Sequence, residues 1–190
     1  MTRDENLTRL ASEAFSLHML LPLVYEPDGQ LVGYRLWSER GFHDCEIAIT
    51  GGRLVIAGDV TPTMFPRQES TLYHNVQRVA EAHPGYLARK VQQSMGCTWC
   101  GWEFDDDVAA GELQSMLDDE DRPHARITIE SAISILREVG SRELAVSRLL
   151  ERGDGFEADE VCDLGLVPAA RVYYARAACR RVIELTGGGS

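Results

Sequence analysis

The basic side of this sequence is almost empty of lysine: of 19 basic residues only Lys90 is one, and the 19 face 30 acids, a net charge of −11. A chain this acidic, with a pI near 4.9, lacks the basic footprint of a general nucleic-acid binder. No apolar run approaches the roughly 18 residues of a membrane span, and the opening Met1-Thr-Arg-Asp-Glu-Asn6 is too charged for a secretion signal. The five cysteines are an odd number, which suits reduced thiols better than a disulfide framework. Catalytic signatures are also missing. There is no Gly-x-Ser-x-Gly elbow, no Walker-type loop, no Gly-x-Gly-x-x-Gly and no His-Glu-x-x-His. A dyad assembled only in three dimensions stays open.

What is present suits a soluble, compact, cytoplasmic protein. The 190 residues are 44 % hydrophobic, enough for a real core and too many for wholesale disorder. The preference for arginine reads as GC-rich coding bias, in keeping with a bacterial or phage origin.

Periodicity supplies the element order. Leu7, Leu10, Ala11, Ala14, Phe15, Leu17 and Leu21 predict an amphipathic helix over 5–21, closed by Pro22. Pro27-Asp28-Gly29 signals a turn, after which the period changes to alternation over 31–37, 45–50 and 53–57. Gly51-Gly52 fits a two-residue hairpin loop, so these runs predict a three-stranded antiparallel meander. The polar segment 61–66 follows as a loop. Helices are predicted over 71–82 with Ser70 as N-cap, 86–95 behind Pro84-Gly85, 105–117, 123–139, 141–152 and 168–185. Residues 153–166 read as a Gly- and acid-rich connection, and 187–190 as a flexible tail. Strands followed by helices point to α+β. The expected architecture is one domain over 1–186, with an N-terminal helix 5–21, a sheet within 30–60 and a helical part 70–186. In it a small antiparallel meander packs against a predominantly helical C-terminal half.

Charge is concentrated. Glu103, Asp105, Asp106, Asp107, Glu112, Asp118, Asp119, Glu120 and Asp121 put nine acids and no base within residues 101–121. The last helix is the reverse, with Arg171, Arg176, Arg180 and Arg181 against Glu184. The acids are either a solvated helix face, with those of the first turn complementing the helix dipole, or a surface that imitates nucleic-acid phosphates in a partner's basic groove. Met64 and Phe65, between Pro62 and Pro66, either tuck under the sheet or protrude toward a partner.

The remaining chemistry is sparse. Cys97-x-x-Cys100 offers two thiolates to a zinc ion, which would need two more ligands from His43, Cys45, His74, His83 or His124. Structural thiols and a redox pair are the other readings. Gly58-Asp59 ends a strong strand, where Asp59 is either a metal-binding carboxylate or a strand terminator bonded to backbone.

The run Arg53-Leu-Val-Ile-Ala-Gly-Asp-Val60, with Met64-Phe65 and Arg67 after it, resembles a signature of an uncharacterised tailed-phage and prophage protein family. That signature is an apolar strand, Gly-Asp-Met, then x-x-Val-Phe-x-Arg. The order around it is similar: Tyr34-Arg-Leu-Trp37 before, Pro84-Gly85-Tyr86 after, and a final helix bearing Tyr173-Tyr174 and Cys179. The likeness covers roughly residues 30–185, although Ser70–Asn75 stands where such proteins carry Asp-Met-Phe and Phe-Phe-Arg elements. The resemblance implies expression inside a bacterial host cell and carries no activity with it.

The sequence therefore points to a phage- or prophage-encoded, non-enzymatic interaction protein of the host cytoplasm. Its expected partner is a host protein or nucleoprotein complex with a basic surface, and inhibition of a host defence complex is one concrete form. No direct contact with nucleic acid or membrane is expected. Homodimerisation through the Tyr173/Tyr174 helix is a further expectation. The other class of function is a small-molecule- or metal-binding enzyme or sensor using Asp59, His43 and the Cys97/Cys100 pair.

Overall fold

The computed structural model describes residues 1–25, 30–60, 62–97, 100–151, 156 and 158–187. The predicted turn at 27–29, the tail residues 188–190, and parts of the Cys97–Cys100 loop and of the 153–166 connection lie outside them. The architecture is α+β, and the chain falls into two compact units, 1–102 with 168–190, and 103–167. The single domain drawn over 1–186 thus corresponds to two separately clustered bodies, each with its own core.

In the first unit, α1 (Arg3–Phe15) opens on a capping box in which the Thr2 hydroxyl accepts from the Glu5 amide and the Glu5 carboxylate accepts from the Thr2 amide. The predicted helix 5–21 is cut short. It ends at Phe15, and the apolar run that follows forms β1 (Met19–Tyr25). Pairing with β2 (Gln30–Trp37), from Met19 opposite Trp37, overrides the helical spacing of Leu17 and Leu21. Pro22 is tolerated because β1 is an edge strand, where a missing N–H costs no ladder bond.

The meander continues through β3 (Cys45–Thr50), β4 (Arg53–Gly58) and β5 (Thr63–Pro66). It is an antiparallel sheet of order β1-β2-β3-β4-β5, two strands wider than the periodicity predicts. The extra strand β5 comes from the segment read as a loop, and it too lies on an edge. Gly51 and Gly52 make the β3–β4 turn, both at positive φ. Gly58 has φ 140°, and a side chain there would drive into the Asp44 carbonyl. Only glycine lets the end of β4 come this close to the start of β3.

One face of the sheet is buried. Tyr34, Leu36, Cys45, Ile47, Leu54, Ile56 and Phe65 join a core with Ala11 and Phe15 of α1, Val76 and Val79 of α2 (Leu72–Glu81), Leu87 and Val91 of α3 (Pro84–Met95), and Val172, Ala178, Cys179 and Val182 of α8 (Ala170–Leu185). Each large apolar side chain so buried contributes about 1.5–3 kcal/mol. The N-cap of α2 is Thr71, not Ser70: its hydroxyl accepts from the His74 amide. Helix α8 packs on α1, α2 and α3. Tyr173 is only 2 % exposed, its hydroxyl bonded to Asp4, so this helix is the centre of the unit and offers no tyrosine pair to a second copy.

The chain leaves the first unit along β6 (Trp102–Phe104) and returns along β7 (Leu166–Pro168), two short strands that pair with each other. The second unit holds α4 (Asp106–Asp119), α5 (Pro123–Val139), α6 (Arg142–Glu151) and the short α7 (Ala158–Val161). Ala109, Leu113, Leu117, Ile129, Ala132, Ile133, Leu136, Ala145 and Leu149 form its core. Among the described residues no helix is long and apolar enough to cross a membrane.

Candidate functional site

The acidic segment becomes α4 and the turn after it, and the structure divides its carboxylates by role. Three serve the fold. Asp105 is the N-cap, its carboxylate accepting from the Val108 amide at 3.0 Å. Glu112 accepts from the Gly165 amide at 2.8 Å, holding a glycine at φ 65° whose side-chain position is filled by Phe104 and Ala109. Glu120 takes a two-pronged bond from the Arg122 guanidinium at 2.8 and 2.7 Å and another from the Arg122 amide. Those bonds hold its carboxyl down to about 2.

Glu103 lies ahead of α4 on β6, and the remaining five, Asp106, Asp107, Asp118, Asp119 and Asp121, are exposed. Among the described residues none of the five has an ion pair, and Asp118 accepts only from Gln114. Asp106 and Asp107 sit in the first turn, where the positive end of the helix dipole welcomes them. Asp118 and Asp119 occupy the last turn, where the dipole opposes them. The open carbonyls of that end are served instead by Arg126, whose guanidinium donates to Leu117 and Glu120 oxygens at 2.6 and 2.8 Å. Local helix energetics therefore accounts for the acids at the start of α4 and not for those at its end.

The arginines of α8, which from sequence look like a counterpart face, are largely ties within the first unit. Arg180 donates to the Ala80 carbonyl, and Arg181 to the His18 carbonyl and to Glu184. The buried Nε of Arg176 has no partner among the described residues. Burial, followed by the charge of Arg180, lowers the pKa of that side chain.

Met64 and Phe65 part company. Alternation along β5 sends Phe65 into the core, 3 % exposed, and turns Met64 to the opposite face of the sheet.

Cys97 and Cys100, just after α3, lie within hydrogen-bonding reach of each other. The Cys100 amide donates to the Cys97 carbonyl at 3.2 Å, and a thiol–thiol hydrogen bond raises the Cys100 pKa. Among the described residues the one group of three metal-ligating side chains within reach of one another is Asp105, Asp106 and Asp107. The cysteine pair thus gains no third His, Cys, Asp or Glu there, and a tetrahedral zinc needs four ligands.

Asp59 is held by backbone. Its amide donates to the Asp44 carbonyl at 2.8 Å, and its carboxylate accepts from the Asp44 amide at 3.2 Å, closing the approach that Gly58 permits. His43, at φ 61°, packs its ring against Phe15 and Tyr174, with centroids 6.3 and 5.6 Å apart. Beside them lies a residue that sequence patterning misses altogether. His18 is 2 % exposed, and neither ring nitrogen has a hydrogen-bond partner among the described residues. Its Nε2 stands 4.0 Å from an Asp44 carboxylate oxygen, which already accepts from the Ser38 amide. Burial, and then Asp44, Asp59 and Glu46, push the Cys45 thiol up to about 12, so it is no nucleophile at neutral pH. The surroundings of Asp59 and His43 amount to a packed polar corner of the fold.

Comparison with protein-family models, curated proteins and solved structures finds no match for this chain.

Proposed function

We propose that this chain is a non-enzymatic interaction protein, phage- or prophage-encoded, that docks the acidic surface of α4 on a basic face of a host protein or nucleoprotein complex. The site of action is the bacterial cytoplasm, and stoichiometric inhibition of a host defence complex is the form that the resemblance to phage and prophage proteins favours. The observation that carries the reading is the pair Asp118 and Asp119. Two exposed carboxylates at the negative end of a helix cost roughly 0.3–1 kcal/mol each relative to neutral side chains. A surface retained against its own helix is explained by what it meets. Unpaired acids that face solvent are free to meet a cationic groove, where complementary potentials speed the encounter and set the register.

The test is affinity capture from nuclease-treated bacterial lysate, comparing the natural chain with one carrying Asp106→Asn, Asp107→Asn, Asp118→Asn, Asp119→Asn and Asp121→Asn. Asp105, Glu112 and Glu120 are left in place because the fold uses them. The expected result is one stoichiometric protein partner with the natural chain and at least about tenfold weaker capture with the variant. The Asp118→Asn and Asp119→Asn pair alone should make the protein slightly more stable while weakening capture. Undiminished capture by the five-fold variant would overturn the acidic-surface reading.

A further inference from the structure

All four helices of the first unit that join the sheet in its core do so on one face. The other face carries, row by row across the strands, Met19 and Trp37; then Leu21, Arg35, Glu46 and Ala57; then Leu23, Gly33, Ala48, Val55 and Met64; and, at its far rim, Thr50, Arg53 and Pro66, with the Arg53 guanidinium 4.0 Å from the Met64 sulfur. None of the apolar members belongs to a core cluster, and Leu21 is 49 % exposed. An antiparallel sheet with one solvated face ordinarily alternates apolar-in with polar-out. Here the row that crosses all five strands has no polar side chain at all. Met19 and Leu21 are exposed and Leu23, Ala48, Val55 and Met64 half-buried beside them, and an apolar row of this kind on the outward face of a sheet marks an interface.

We propose that this outward face binds a second copy of the chain, sheet against sheet, about a two-fold axis. The argument for a second copy is the charge set into the face. Arg35 on β2 and Glu46 on β3 are cross-strand partners, and among the described residues neither has an ion pair or hydrogen bond elsewhere. With Arg53 out at the rim, the centre of the face has one positive and one negative group side by side, and such a centre is complementary to itself. An axis along the strands, midway between β2 and β3, sets Arg35 against the partner's Glu46, and does so twice. The same operation opposes Leu21 to the partner's Ala57, Leu23 to the partner's Val55 and Gly33 to the partner's Ala48. Apolar meets apolar across β1 to β4, and Met64 on β5 lies outside the overlap. At about 4.8 Å between strands and about 3.3 Å per residue the face measures roughly 20 Å by 20 Å. With side-chain relief the overlapping strands β1 to β4 cover at most roughly 600 Å² per copy, at or below the low end for a specific interface, so a weak, reversible dimer is expected.

Sedimentation equilibrium on the full chain tests this independently of the acidic α4 surface. At about 100 µM the natural chain should have twice its 21.1 kDa mass and dissociate on dilution. Arg35→Glu and Glu46→Arg should each be monomeric, because each sets like charges face to face. An equimolar mixture of these two variants should dimerise again, since every like-charge pair becomes an opposite-charge pair. A variant that loses its far-ultraviolet circular dichroism is replaced by Leu21→Lys, which must abolish the dimer equally. A natural chain that is monomeric throughout, single variants that stay dimeric, or a mixture that stays monomeric would each overturn the proposal.

Discussion

Replacing Gly58 by alanine should be among the most damaging single changes in the protein, and Gly52 supplies its control. Both glycines have positive φ, 140° and 74°. A methyl at Gly52 meets nothing within 4 Å, so Gly52→Ala carries only the conformational penalty of an L-residue there, about 1–2 kcal/mol. At Gly58 the same methyl runs into the Asp44 carbonyl oxygen and sits 2.8 Å from the Cys45 Cα, both of them backbone. Neither atom can swing away as a side chain would. Relief requires β4 to part from β3, which breaks the bonds from the Asp59 amide to Asp44 and from the Asp44 amide to Asp59. At about 1 kcal/mol for each bond, added to the conformational term, Gly58→Ala should cost about 3–4 kcal/mol. Urea unfolding followed by tryptophan fluorescence is the assay, because the three tryptophans all fall within residues 1–102 of the sequence and Trp37 and Trp102 report the first unit. If the two substitutions cost the same, close approach at Gly58 does not matter and the reasoning fails.

Two further predictions concern groups whose ionisation the fold has shifted. Glu120 is held at about 2, below an unfolded carboxylate, so its contribution to stability is present above the unfolded value and disappears as pH falls through about 2. Arg122→Gln should return the Glu120 carboxyl toward about 4.3 in a carbon-detected NMR titration, and a carboxyl still near its shifted value would show that Arg122 is not the cause. Among the cysteines, Cys45 and Cys179 are buried, with thiols raised chiefly by that burial, while Cys97, Cys100 and Cys162 reach solvent to some degree. Alkylation of the native protein, mapped by mass spectrometry, should therefore modify those three first and Cys45 and Cys179 only on unfolding. Early labelling of Cys179 would contradict the packing of α8.

How much of this could be read from the residues depended on whether a signal was local. The bounds of α5 were legible because Pro123 at its first turn and Gly140, in the left-handed conformation after its last, both act within a few residues. The β3–β4 hairpin was legible from Gly51-Gly52 for the same reason. The end of α1 was not. Leu17 and Leu21 continue a helical spacing, and only pairing with β2, whose partners lie up to 18 residues on, makes 19–25 a strand. The strand β5 hid behind Pro62 and Pro66, which mimic a loop until the segment is known to lie on an edge. The division into two units left no linker to notice, because the chain crosses at β6 and β7 inside otherwise ordinary sequence. The acidic segment was plain in composition, whereas the roles of Glu112 and Glu120 depended on Gly165 and on the fold of Arg122 back over the turn. His18 carried no signal at all.

The places where local rules fail are the informative ones. A sequence that specifies one fold keeps propensity, patterning and charge in agreement, and departs from that agreement where something other than folding is being served. Asp105 to Asp107 agree with the helix they begin, so they need no partner to explain them. Asp118 and Asp119 disagree with the helix they end, at a position where asparagine or lysine would be more favourable. Leu21, Val55 and Met64 disagree with the solvent their face meets, while Arg35 and Glu46 beside them keep that face from being merely sticky. If both departures were drift, substituting them toward the local optimum would raise stability and change nothing else. If they are interfaces, the same substitutions separate the two effects: Asp118→Asn and Asp119→Asn lose a partner while the fold gains, and Leu21→Lys loses a dimer while the fold stays as it was. A gain in stability accompanied by intact binding at either place returns that place to drift.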